Sequence, residues 1–154
     1  MKKLEFKQII REEINKILKE EIFKFYNVDE SWDEEDDSLI SAEYEFKTPN
    51  NLYIVTLNSF DYSPGYFELL FKTKKLTKEE IDPKYLEKTN ENKVISVIQT
   101  ISKIIDDFIN EYGEREEINK IYIKGTDEKR KKIYNQLFPK YISPKNLSKI
   151  DIEK

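Results

Sequence analysis

Cysteine and histidine are both absent from this 154-residue chain, and glycine is nearly so, with Gly65, Gly113 and Gly125 the whole supply. Without thiols there are no disulfides, thiolate nucleophiles or zinc knuckles. Without imidazole the commonest general base, the commonest metal ligand and the usual switch near neutral pH are missing. Ser-His-Asp and Cys-His catalysis are therefore excluded. Three scattered glycines make neither a phosphate-cradling loop nor a dinucleotide fingerprint. No cofactor and no metal is expected. No apolar run approaches the length of a membrane span. The opening residues, Met1-Lys2-Lys3-Leu4-Glu5-Phe6-Lys7, lack the apolar stretch of a secretion leader, so a cytoplasmic location is predicted.

Charge and aromatic rings are what the chain has in quantity. Charged residues make up 38% of it, and ten Tyr, nine Phe and Trp32 supply large apolar surfaces. The net charge of −4 is unevenly placed. Residues 27–45 hold nine acidic residues and no Lys or Arg, whereas residues 124–154 hold nine basic against four acidic. This basic stretch reads as a solvated face, with nucleic-acid contact through Lys129, Arg130, Lys131, Lys132 and Lys140 as the alternative.

Residues 4–26 repeat Ile10, Ile14, Ile17, Leu18, Ile22 and Phe25 at helical spacing. An amphipathic helix is predicted there, its stripe offered to a protein partner or packed on its own domain. Residues 27–38 read as an acidic linker. Counting a calcium loop from Asp29 puts Glu34 where glycine is needed and Ile40 where glutamate is needed, so that motif fails. Trp32 sits in this acidic stretch, either as a docking anchor for a partner or folded back on the sheet.

Three strands are predicted next. In residues 39–48, Ile40, Ala42, Tyr44 and Phe46 alternate with polar residues. Residues 52–60 and 66–75 follow across short turns, which makes an antiparallel meander. Residues 91–112 carry Val94, Ile98, Ile101, Ile104, Ile105, Phe108 and Tyr112 on one broad helical stripe. A fourth strand at 118–124 points Ile121 and Ile123 inward. Gly125 and Thr126 then cap a helix from 127 to about 138, where Pro139 ends it.

The predicted class is α+β: an N-terminal amphipathic helix within residues 1–26, the linker 27–38, a domain over 39–142, and a polar tail over 143–154. The domain has an antiparallel sheet of about four strands with two helices on one face, in the order β-β-β-α-β-α. Two places carry candidate chemistry. Gly125 and Thr126, at a strand-to-helix junction, are an anion or nucleic-acid contact if the helix amides are free, and plain capping residues if not. Arg130 and Tyr134, four apart, form a recognition face or an Arg stem packed on a ring.

Residues 66–138 resemble a family of uncharacterised small phage and bacterial proteins. The likeness is carried by Val94-Ile95-Ser96-Val97-Ile98-Gln99-Thr100-Ile101 and by Lys124-Gly125-Thr126-Asp127-Glu128-Lys129-Arg130-Lys131-Lys132-Ile133-Tyr134-Asn135-Gln136-Leu137. The same half looks like the second half of the N-acetyltransferase fold, with Glu87-Lys88-Thr89-Asn90-Glu91-Asn92-Lys93 in place of the glycine loop that holds coenzyme A. That resemblance implies an acyltransferase-like enzyme with a degenerate coenzyme A loop.

The opening, Leu4-Glu5-Phe6-Lys7-Gln8-Ile9-Ile10-Arg11-Glu12-Glu13-Ile14, is similar to that of many tailed-phage proteins, often virion-associated. In such phages amphipathic N-terminal helices target proteins to the prohead. A protease there cuts after Leu/Ile-x-Glu, a pattern met at Ile10-Arg11-Glu12 and Leu18-Lys19-Glu20. The resemblance implies a protein partner among phage structural proteins, and a place in the cytoplasm of a bacterial host with packaging into a virion.

Overall fold

The computed structural model describes residues 22–60, 63–80 and 94–154. Six strands form one sheet in strict sequence order: β1 (Phe25–Trp32), β2 (Leu39–Lys47), β3 (Asn51–Phe60), β4 (Ser63–Lys75), β5 (Lys120–Ile123) and β6 (Ile150–Ile152). Helix α1 (Val94–Tyr112) lies between β4 and β5. Helix α2 (Glu128–Tyr141) and a 3-10 helix (Pro144–Lys149) lie between β5 and β6.

The first four strands are antiparallel, as short connections require. Thr48 closes the β2–β3 turn, its amide donating to the Asn51 carbonyl at 2.9 Å. The last two pairs, β4–β5 and β5–β6, are parallel, because each connection crosses back through a helix.

One face of the sheet builds the core. Ala42, Tyr44 and Phe46 of β2 meet Val55 and Leu57 of β3, Phe67 and Leu69 of β4, and Ile121 and Ile123 of β5. Above them α1 brings the predicted stripe, with Ile101, Ile104, Ile105 and Phe108 fully buried. Phe108 meets Phe67 edge-on at 5.1 Å, and Tyr134 of α2 meets Phe71 at 5.9 Å. Phe67 and Phe71 point the same way along β4, so both helices cover one face. The other face, with Thr56, Leu70 and Tyr122, has no helix over it among the described residues.

Five expectations change. The fold is α+β, but the sheet is mixed and six-stranded rather than antiparallel and four-stranded. Residues 27–38 are not a linker: they make most of β1 and a tight turn, in which the Asp33 carboxylate accepts from the amides of Glu35 and Asp36. Bulges at Val28 and near Trp32 break the two-residue alternation that marks a strand, and acidic residues suit an exposed edge. Residues 143–154 are not a free tail, since Ile150 and Ile152 pack on the core. Helix α2 runs through Pro139 to Tyr141, because a proline in the last turn removes only one helical hydrogen bond. The predicted N-terminal helix falls on residues outside the described ones up to 21; residues 22–24 are not helical and residues 25 and 26 belong to β1.

The β1 edge is fastened by a polar cluster on the core side. Tyr112 donates to Glu30 at 2.5 Å, and Asn27 donates to the Tyr112 hydroxyl at 2.8 Å. Trp32 donates its indole N–H to Glu30 at 3.1 Å. These bonds, that of Tyr112 foremost, hold the Glu30 carboxyl below its ordinary 4.5 against a smaller opposing desolvation. A carboxylate held low in the folded chain stabilises fully above its unfolded pKa and loses that contribution as pH falls through the lowered value. The stability gap between wild type and Glu30→Gln is therefore expected to be widest near neutral pH and to close below 4.5, as read by urea titrations across pH.

Candidate functional site

The pairing of β4 with β5 covers only residues 66–69 against 120–123. Beyond it β4 runs on to Lys75 while the chain after Ile123 turns away into α2. The parting strands, with the helices above, leave a cleft of about 470 Å³. Tyr53 and Phe71 come from the sheet, Val94, Val97 and Ile98 from the first turns of α1, and Arg130, Ile133 and Tyr134 from α2. Asn51, Lys72 and Thr73 complete the wall.

Local sequence explains how α2 presents its side of this cleft. Asp127 is the N-cap, its carboxylate accepting from the Arg130 amide at 2.8 Å. Gly125 lets the chain pass close to the helix, since a Cβ there would stand 2.8 Å from the Lys131 nitrogen. Arg130 donates to the Thr126 hydroxyl at 2.5 Å and lies 3.8 Å from the Asp127 carboxylate. Burial pushes the Tyr134 phenol up, and the Arg130 charge opposes it. The result is an aromatic and aliphatic lining with Arg130, held by Thr126 and Asp127, at the rim. It suits an apolar group.

The structure sorts the sequence candidates. Arg130 and Tyr134 are brought together on the cleft, whereas Gly125 and Thr126 are not among its lining. At the α2 N-terminus, Asp127 and Glu128 already supply negative charge, and the Thr126 hydroxyl is taken by Arg130. The capping role expected of Gly125 and Thr126 belongs to Asp127. Trp32 stands far along the sheet edge, half-buried, its ring 5.9 Å from that of Tyr112 and 5.6 Å from the Arg115 guanidinium. Ile22 is 40% exposed, while Ile10, Ile14, Ile17 and Leu18 lie outside the described residues. Tyr53 and Phe71 are site residues that sequence reading missed. Phe71 carried a signal, since it alternates inward with Phe67 and Leu69, but nothing marked Tyr53.

A second concavity, at the 33–38 turn, is lined by Asp33, Asp36, Glu116 and Glu117. Glu116 accepts from the Leu39 amide at 3.2 Å. Among the described residues no group of three or more acidic side chains is placed to hold a metal ion. No helix among them is long and apolar enough to cross a membrane. Family models, curated proteins and solved structures give no match to the chain.

Proposed function

We propose that this is a non-enzymatic docking protein of the phage type, which binds a larger assembly through the apolar stripe of residues 4–21. The virion head is the assembly to which the opening sequence points. One observation carries the reading. Ile22, the first described residue after that segment, is 40% exposed, and Val94 and Ile95 at the start of α1 are 46% and 39% exposed. Uncovered apolar surface of this kind marks a binding region, and an amphipathic helix in a groove is a common way to use it.

The test is capture from native host or phage material, with mass spectrometry, using tagged full-length protein and a full-length Ile14→Lys, Leu18→Lys variant. The wild type is expected to bring down a capsid, portal or other large partner. The variant should lose it by ~10-fold or more, because lysine cannot be buried in the contact. Equal capture by both proteins would overturn the reading.

A second reading, an acyltransferase-like enzyme, is favoured by the parting of parallel β4 and β5 beside Tyr134. It requires acetyl-coenzyme A to bind, and calorimetry showing no heat at millimolar ligand would remove it. Nucleic-acid binding gains less from the geometry, since Lys131 pairs with Glu153 at 3.2 Å and Glu128 at 3.4 Å, and Arg130 with Thr126.

A further inference from the structure

We propose that the outer edge of β1, with the acidic flank of α1 beside it, takes a basic, extended peptide segment of a partner protein as an added strand. Among the described residues β1 pairs with β2 alone. A strand with one neighbour offers a row of backbone donors and acceptors to an extended chain laid beside it. Residues Tyr26 to Ser31 of β1 are all exposed, and Tyr26 and Val28 leave 55% and 45% of their surface open.

Charge selects the occupant. Residues 27–45 hold nine acidic residues and no Lys or Arg. On the helix side of the sheet the end of α1 adds to them. Asp107, Asn110, Glu111, Glu114 and Arg115 line an open hollow of about 510 Å³. It adjoins β1, because Arg115 stands 5.6 Å from the Trp32 ring and the neighbouring Tyr112 donates to Glu30. No basic residue lies in the last turn of α1, so the carbonyl end of the helix deepens the negative potential. A second, separate sign is the Tyr44 hydroxyl, which is buried and has no hydrogen-bond partner. Burial first, and then Tyr112, Glu111, Asp107 and Glu30, push its phenol up, which sets it within the same acidic field. A Lys or Arg on the helix side of an added strand brings the counter-charge and an N–H donor to this place. A second copy of the chain suits the edge poorly, since two β1 strands would bring Asp29 and Glu30 against like charges. This surface is separate from the stripe of residues 4–21, so it neither needs nor decides the docking reading.

The test uses full-length protein and a fluorescein-labelled peptide of about eight residues, alternating Lys and Val, followed by anisotropy. Two comparison peptides carry Glu in place of Lys, or keep Lys with alternate backbone amides N-methylated. The Lys peptide is expected to bind about 10-fold or more tightly than either, because one lacks the charge and the other the strand donors. Hydrogen exchange at Tyr26 to Ser31 should slow in its presence. Glu111→Lys should weaken binding about 5-fold or more. Asp151→Lys makes the same charge change at an exposed position of β6, the opposite edge of the sheet, and should stay within about 2-fold. Circular dichroism confirms that both variants are folded. No binding at millimolar peptide, equal binding of the N-methylated peptide, or equal weakening by Asp151→Lys would each overturn the proposal. So would a concentration-dependent dimer that protects β1 in place of the peptide, which would assign the edge to a second copy.

Discussion

Phe108→Ala is expected to lose about 3–5 kcal/mol of stability, the usual range for a buried phenylalanine cut to alanine. Phe108 is fully buried, edge-on to Phe67 at 5.1 Å and 5.1 Å from Tyr112. It packs between the later turns of α1 and β4 of the sheet. Folded domains keep only about 5–15 kcal/mol in total, so this single change removes a large share. Thermal unfolding followed by circular dichroism should show a midpoint about 10 °C lower. Leu70→Ala is the matched comparison. Leu70 is 47% exposed on the opposite face, so its loss should be within about 0.5 kcal/mol. Similar losses at the two positions would mean that the assignment of sheet faces is wrong.

Asp106→Ala is expected to free the C-terminal segment before it unfolds the rest. Asp106, buried on α1, accepts from the Ser143 amide at 3.1 Å, the Ser143 hydroxyl at 2.9 Å and the Asn146 side-chain amide at 2.7 Å. Removing the carboxylate strands these donors, and each buried orphan costs roughly 1–3 kcal/mol. The expected loss is therefore about 3 kcal/mol or more, and it is spatially uneven. In hydrogen exchange the amides of β6 should speed up most, because the 3-10 helix that Asp106 holds leads straight into it. Asp106→Asn keeps one acceptor oxygen and should show a smaller change in the same place. Uniform acceleration across the sheet would show instead that Asp106 supports the whole core.

How far the sequence revealed this molecule differs from element to element. Helix α1 and the inward residues of β4 were legible because their periods are unbroken; in β2 Ala42, Tyr44 and Phe46 point inward as expected, but Leu39 is buried in place of Ile40, which is 42% exposed. Strand β1 was not, because the bulge at Val28 shifts the alternation and turns Asn27 and Glu30 toward the core. Both stay exposed, and both bond the Tyr112 hydroxyl, 82 to 85 residues away in sequence. Strand β6 has three residues and pairs in parallel with β5, a contact that exists only once α2 has crossed over. The cleft was half legible. The i,i+4 spacing put Arg130 and Tyr134 together on one side of α2, but Tyr53, Val97 and Phe71 reach the site from three other elements. The stripe at Ile10, Ile14, Ile17 and Leu18 remains a sequence-level expectation, outside the described residues.

The unbroken strand order has a consequence for how the molecule comes into being. Every strand pairs with the one made just before it, so the sheet grows at a single edge in the direction of synthesis. The meander of β1 to β4 uses short loops and needs nothing from the later chain to pair its strands. Each later strand waits for the helix that precedes it, and that helix arrives with the apolar stripe needed to cover the growing face. A ribosome releasing this chain therefore meets few moments at which a finished strand lacks its neighbour, and the last piece placed, β6, is also the shortest.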